Sequence, residues 1–526
     1  MWRITKKATL GLAALLLLGM VGCTELEVTN PNAPDAERAL ATTGDVESLI
    51  AGGFDSWHET LWYNGPTMAL SAASFEHTAP WANAGMEFYA RIPRVPVANV
   101  SGGRDVGNLT FAFERSYRAI NAIASGLYSI DAGDVDLGDD ALRARAYSKF
   151  IQGIAHGTVA LLYDSGFVFD ETAACLQTAT CGATVEAALL GYQDVADAAL
   201  GYLYEAASLA NGASFTLPST WMGRTVPAAT LEQLAYSEAA RLRAAVARTP
   251  AERQAVDWDQ IVTDAGRGVT TDWNFINDCV TFCDDAFYYR NYPSWHMMPM
   301  WVIGMADQSG AYQNWINTPT TDKQPFVMVT PDTRFPQGAT EAEQLAAEGE
   351  YFYVNSSWYR VWSRPDRGTW RWSYYDRVNY VDMSFDWEGD FPLWTARELD
   401  ALVAEAAYYD GDMAAVADYV NASRTLHGLA ATDAGGTNAD CVPKLPNGSC
   451  GNLLEMFKWE KRLETHFLGP LRIGWYFDGR GWGDLMEGTL LQFPTPFGEI
   501  QLLEGQPYNF GGVGGNSSAP VGTYGY

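Results

Sequence analysis

The chain is short of positive charge. Its 526 residues include 34 Lys and Arg against 63 Asp and Glu, a formal net charge of −29. A surface of that sign repels phosphate backbones, which excludes nucleic acid as a partner, and it would not adhere unaided to anionic lipid. Charge of either sign is also sparse, at 18% of residues, while aromatic residues reach 13% with 19 Trp. So apolar a composition excludes global disorder. Beyond the N-terminus no stretch offers the roughly 18 apolar, uncharged residues that mark a membrane span. Histidine numbers six, and no second His stands at ligand spacing from His296-Met297-Met298, so copper is not expected there. The acidic run DAGDVDLGDD at 131–140 lacks the Gly and the terminal Glu of a calcium-binding loop and reads as a solvated helix–helix connection. No metal and no cofactor is expected.

One apolar run does stand at the N-terminus. Arg3, Lys6 and Lys7 precede the apolar Ala8 to Val21, the layout of an export signal over residues 1–22. The run ends at Met20-Val21-Gly22-Cys23, the shape of a lipobox, with Met20 where Leu is usual. Cys23 is therefore the expected lipidation site, and multiple acyl chains would anchor the protein stably to a membrane. An ordinary cleaved signal with a coincidental cysteine is the alternative. Residues 23–36 then form a lipidated polar tether. Setting Cys23 aside leaves six of the seven cysteines, in three close pairs: Cys175/Cys181, Cys279/Cys283 and Cys441/Cys450. In an oxidising compartment each pair closes a short loop as a disulfide. Metal binding is the rival reading, but the spacings match no zinc pattern.

Helical periodicity dominates the body, residues 37–526. Helices are expected from Asp45 to Phe54 and on toward Trp62, and at 111–130, 140–164, 184–210, 230–247, 251–267, 396–409 and 412–427. Thr230 with Gln233, Thr249 with Pro250 and Glu252, and Thr395 with Glu398 supply start signals. The pairs form helix-turn-helix units of roughly 34–40 residues, the size of tetratricopeptide-like repeats. Residues 270–394 differ: they are rich in Trp, Tyr, Pro, Asp and Asn, with little helical period. The expected fold is thus mainly α, a tetratricopeptide-like helical-hairpin scaffold (about 37–269 and 395–490) carrying a long irregular, aromatic-rich insertion (about 270–394). Short strands are expected at Phe326–Val329 and Tyr351–Val354. The Gly-rich tail from Gly505 is expected to lie over the surface without core residues.

Five segments in order resemble the SusD/RagB family of nutrient-binding outer-membrane lipoproteins. They are LEVTNPNAP after the anchor, RSYRAINAIASGL at 115–127, ARAYSKFIQGIAHGTVALLYDSGFVF at 144–169, AEAAYYDGDMAAVADYVNASRTLHGL at 404–429, and KWEKRLETHFLGPLRIGWYFDGRGWGDL followed by LQFPTPFGEI. Together they span nearly the whole chain after the signal. Leu468-Gly469-Pro470 replaces the family's usual Glu-Gly pair, and Arg143/Arg145 sit slightly off its pattern. The resemblance implies a non-enzymatic, surface-facing, lipid-anchored protein of the outer membrane. Such proteins capture an oligosaccharide or peptide and pass it to a TonB-dependent (SusC-like) outer-membrane barrel.

Capture of a sugar needs flat aromatic platforms with a few polar groups. Two segments offer the mixture. Residues 77–91 supply His77, Trp81, Asn83, Tyr89 and Arg91. Residues 287–301 supply Tyr289, Arg290, Tyr292, Trp295 and Trp301. A further five tryptophans, Trp358, Trp362, Trp370, Trp372 and Trp387, resist ranking. Glu460, Arg462, Glu464, Arg472, Asp478 and Arg480 cluster near the C-terminus, and buried ion pairs that dock the last segment are a better reading of them than catalysis. The rival functions are a secreted helical-fold glycoside hydrolase, which needs a carboxylate pair no motif nominates, and a structural lipoprotein.

Overall fold

The computed structural model describes residues 40, 42–62, 65–78, 85–178, 188–283, 292, 297–363, 369–377, 388–468, 471 and 473–520, the side chains of Gln177, Thr178 and Trp362 excepted. The export signal, Cys23 and the tether lie outside these residues.

Capping side chains set many of the helix starts. The Thr42 hydroxyl accepts the Asp45 N–H and opens α1 (Thr43–Ala51), which is followed by α2 (Gly53–His58) and, after Gly65, by α3 (Pro66–Ala73) and α4 (Met86–Ala90). Two long helices come next, α5 (Val106–Asp131) and α6 (Ala141–Leu162). The helix expected at 184–210 begins only at Tyr192 (α7, Tyr192–Ala210). The residues before it form β2 (Leu189–Gly191), paired antiparallel with β1 (Ser165–Phe167). A second small pair joins β3 (Thr216–Leu217) to β4 (Val226–Pro227). Thr230 is not the cap of the next helix: α8 (Ala228–Ala245) starts straight after the extended Pro227, with no side-chain cap. Its partner is split. Thr249 caps α9 (Pro250–Gln254), and Asp257 recaps the chain for α10 (Trp258–Ala265) by accepting the Gln260 N–H. After the insertion, Thr395 caps α11 (Ala396–Asp410). Then come α12 (Met413–Arg424), α13 (Leu453–Glu464) and α14 (Gly474–Trp482).

Neighbours pack in series: α5 on α6, α6 on α7, α7 on α8, α8 on α10, α10 on α11, α11 on α12 and α12 on α13. This is the stacked-hairpin arrangement of a helical-repeat scaffold, each unit covering the next one's apolar face. Helix α6 lies at its centre, buried almost all round from Ala144 to Leu162. Close approach needs a missing side chain at Gly153, where a Cβ would stand 2.6 Å from Leu203 Cγ of α7.

The insertion leaves and returns through one strand pair, β5 (Trp273–Asn277) against β8 (Gly389–Trp394). Trp394 is fully buried at its foot and donates to Glu238 at 2.8 Å. Inside, β6 (Phe352–Val354) pairs with β7 (Tyr375–Arg377). Phe326–Val329 is not a strand. Its N–H groups are taken by side chains instead, Met328 by the Tyr375 hydroxyl and Val329 by Asp307. The insertion has its own core around Met298, Ile303, Tyr312, Phe335 and Phe352, closed from the scaffold side by Trp459, Leu463 and Trp475.

The C-terminal motif is ionic architecture. Arg334 of the insertion reaches Glu460 at 2.7 Å, Asp332 at 2.8 Å and Glu464 at 3.4 Å. Arg253 pairs with both oxygens of Glu405, at 2.8 and 2.6 Å, and meets Asp478 at 3.1 Å beside Lys461. Arg462 pairs with Asp484 at 2.9 Å. Arg480 donates to the carbonyls of Leu491 and Ala245 instead of to a carboxylate. Arg472 lies outside the described residues. The tail also departs from expectation. Phe510 is buried in the main core, Gly511 bridges to Pro96, and Ser518 bridges to Leu490. Its glycines let the backbone lie flat against the body, and backbone hydrogen bonds hold it there. Disulfides join Cys279 to Cys283 and Cys441 to Cys450. Cys175 is disulfide-bonded, and Cys181 lies outside the described residues.

Candidate binding face

The two segments nominated from sequence meet. Helix α3 ends at Ser74, and Phe75 takes a left-handed φ of 61° that turns the chain back. Glu76 is buried and accepts the Ser71 hydroxyl at 2.9 Å and the Phe467 N–H at 2.8 Å, so the turn is bolted to the scaffold. Two residues on, the Thr78 N–H and hydroxyl both donate to the Met297 carbonyl, at 2.9 and 2.6 Å. The far side of that segment is zipped to the β7 region. The Met298 N–H donates to Tyr375 O at 2.8 Å, the Ser373 N–H returns to Met298 O at 3.0 Å, and Pro299 bridges Trp372. Residues 75–78, 297–299 and 372–375 thus form one three-layered seam. Tyr292 packs beside it on Met68, Ala72, Met86 and Ala90.

Aromatic rings line the seam. Trp358 and Tyr374 are half-buried and pack on Met297, Tyr359 and Trp372. Tyr359 meets Tyr374 edge-on at 4.9 Å. The guanidinium of Arg360 lies 5.9 Å from the Tyr374 centroid and is held there by Glu341 at 2.6 Å. Polar groups stand among the rings. Asp376, buried, accepts from Asn355 at 3.1 Å and from the Tyr353 hydroxyl at 3.4 Å. Burial and the nearby Asp376 carboxylate both hold the Tyr353 hydroxyl protonated, well above its usual range. Arg371 reaches Glu87 at 3.5 Å, tying α4 to the insertion, and its burial lowers its affinity for the proton. Half-buried rings beside fixed donors and acceptors can bind the apolar face of a sugar while taking its hydroxyls.

The nominated residues divide. Arg91 and Tyr292 are partly exposed and belong to this seam or its margin, with the Arg91 guanidinium over Phe88 at 5.7 Å. His77, Tyr89 and Trp301 are buried. His77 meets the Thr78 carbonyl at 3.1 Å, and Tyr89 packs edge-on to Phe493. Trp301 stacks on Phe75 at 4.7 Å and meets Trp315 and Trp370 edge-on, so its ring faces are consumed by packing. Trp81, Asn83, Tyr289, Arg290 and Trp295 lie outside the described residues, as does Trp387. Of the unranked tryptophans, Trp370 and Trp372 are buried and Trp358 is not. Tyr353, Asn355, Glu87 and Asp376 were not nominated. Tyr353 and Asn355 lie in and just after the strand expected at 351–354, and Glu87 lies inside the nominated segment 77–91, whereas nothing in the sequence singled out Asp376 of β7.

No protein-family model matches the chain, and no curated protein matches it by sequence. Solved structures do match. A SusD homolog from Parabacteroides distasonis superposes with a TM-score of 0.52 at 13% identity, covering 82% of this chain and 84% of that one. A SusD/RagB family protein from Bacteroides thetaiotaomicron gives 0.48 at 15% identity, covering 88% and 92%. A SusD-like carbohydrate binding protein from Bacteroides vulgatus gives 0.47 at 14%, covering 81% of each. On the first of these matches the chain has the SusD-like fold, mainly helical with a scaffold of stacked hairpins.

Proposed function

We propose that this protein is a non-enzymatic surface lipoprotein that captures a nutrient, an oligosaccharide, and delivers it to a TonB-dependent outer-membrane barrel. One observation carries the reading. The two aromatic-rich segments picked out in the sequence converge on a seam whose half-buried rings, Tyr292, Trp358 and Tyr374, stand with Glu87, Arg91 and Asn355. The SusD-like fold agrees with it. In the described helices no segment is long and apolar enough to cross a membrane, and a lipid on Cys23 would supply the attachment. Trp81, Asn83, Tyr289, Arg290 and Trp295 remain proposed contributors to the same face.

A glycan array with the lipid-free protein tests the proposal, with a peptide panel beside it. Binding of a glycan without turnover is expected, weakened about tenfold by Trp358→Ala, the effect of losing one stacked ring. Release of reducing ends, abolished by a single carboxylate substitution, would sink it in favour of a hydrolase. Labelled palmitate on the wild type and not on Cys23→Ala, and co-purification of a large barrel from envelopes, test the anchor and the partner separately.

A further inference from the structure

A second opening lies on the scaffold, away from the seam. The N-terminal end of α7, the C-terminal end of α8 and the α9–α10 turn line an open cleft of about 270 Å³, near the lower end of the range for small-molecule sites and enough for a single sugar ring. Its floor is apolar, including Leu200, Leu242, Val246 and Val256. Its wall carries one aromatic ring, Tyr192, half-buried and held in position twice. The Tyr192 hydroxyl donates to Glu252 at 3.0 Å, and the Arg248 guanidinium lies 3.5 Å from the ring centroid. Arg248 is 2% exposed, so it backs the ring from inside and leaves the other face to the cleft. Glu252 is itself fixed, accepting the Arg248 backbone N–H at 2.8 Å. Asp197 and Asp257 stand exposed on the rim, and Arg243 lines the cleft with a buried Nε that has no partner.

We propose that this cleft is a second saccharide site. It takes a neutral pyranose whose apolar face stacks on Tyr192 and whose hydroxyls donate to Asp197, Glu252 and Asp257. The charges select against an acidic sugar, because the three carboxylates outnumber Arg243 beside the ring and the buried Arg248 behind it and oppose a further anion. The site stands independently of the reading of the insertion face.

Saturation-transfer NMR on the folded protein tests it, using methyl glucoside, galactoside, mannoside and xyloside, with methyl glucuronide as the charged probe. At least one neutral probe should bind with its ring protons saturated. Tyr192→Ala should weaken it about tenfold, and Tyr192→Phe, which keeps the ring, should retain it. Asp197→Asn with Asp257→Asn, both exposed, supplies a second lesion that leaves the helix packing intact and should also weaken binding. In Trp358→Ala the Tyr192-dependent signal should persist. The proposal is overturned if no neutral probe gives a Tyr192-dependent signal, if methyl glucuronide binds equally well, or if Trp358→Ala alone removes that signal.

Discussion

The insertion and the scaffold each bury an arginine completely, and they surround it in opposite ways. In the insertion network, the fully buried Asp332 and Glu460 have Arg334 as their only cation within 3.5 Å among the described residues; Arg424 is 3.8 Å from Glu460 and spends its donors on the carbonyls of Ala430 and Val442 and on Asn438, while Arg397 and His427 reach only Glu464, at 3.4 and 3.3 Å. In the scaffold, Arg253 shares Glu405 and Asp478 with Lys461, at 3.3 and 2.9 Å. Asp332 and Glu460 therefore depend on a single cation, whereas Glu405 and Asp478 share two. A buried carboxylate that loses its only partner cannot be rehydrated, whereas one that keeps a second cation stays compensated. Arg334→Met should therefore be the most damaging substitution, lowering unfolding free energy by about 3–5 kcal/mol in urea titrations. Arg253→Met should cost less by about 1 kcal/mol or more, because Lys461 remains. Equal losses would break the contrast.

Apolar packing sharpens the same contrast. The scaffold depends on close helix approach, so Gly153→Ala in α6 should force Leu203 aside and cost about 1–3 kcal/mol. The insertion depends less on helices and more on local devices. Its short helix at Glu341–Leu345 is set by a capping box in which the Thr340 hydroxyl accepts the Glu343 N–H and the Glu343 carboxylate accepts the Thr340 N–H. Thr340→Ala should cost about 1 kcal/mol. Hydrogen exchange should show that loss confined to the insertion, while Gly153→Ala loosens α6 and α7.

The scaffold was largely legible because helix period and capping chemistry are local signals. Thr249, Thr395 and the apolar faces of α5 and α6 announce themselves within a dozen residues. Errors fell where a nonlocal partner decided the outcome. Pairing of Leu189–Gly191 with β1 delays α7, and side-chain acceptors replace a ladder at Met328 and Val329. The tail's burial of Phe510 rests on contacts to residues about 400 positions earlier, such as the Asn99 N–H to Asn509 at 3.0 Å. At the candidate face, composition located the region but could not separate platforms from core. Trp301 and Trp358 are the same residue type in similar surroundings, and only the tertiary fold buries one face-to-face on Phe75 and leaves the other half-open.

The smallest expected effect concerns the junction between the two regions. His427, at the end of α12, meets Glu350 of the insertion at 2.6 Å and Glu464 of the scaffold at 3.3 Å, with the Tyr351 ring edge-on at 5.1 Å. Burial lowers the His427 pKa and Arg334 opposes its charge, but the hydrogen bonds to Glu464 and Glu350 outweigh both and raise it above its ordinary 6.5. Burial alone would raise Glu464; the bonds from His427, Ser423 and Tyr351 and the Arg334 charge bring it down to about 2. A raised histidine stabilises the fold fully below pH 6.5, and that contribution is lost as pH rises through its folded value. A depressed carboxylate stabilises it above its ordinary 4.5, and that contribution is lost as pH falls toward 2. The junction is therefore tightest between about pH 4.5 and 6.5. Because Glu350 is 48% exposed, the pair contributes on the order of half a kcal/mol. Stability measured from pH 6 to 8.5 should decline in the wild type by that amount more than in His427→Gln. Parallel curves would show that His427 holds the two regions together by packing on Tyr351 and not by charge.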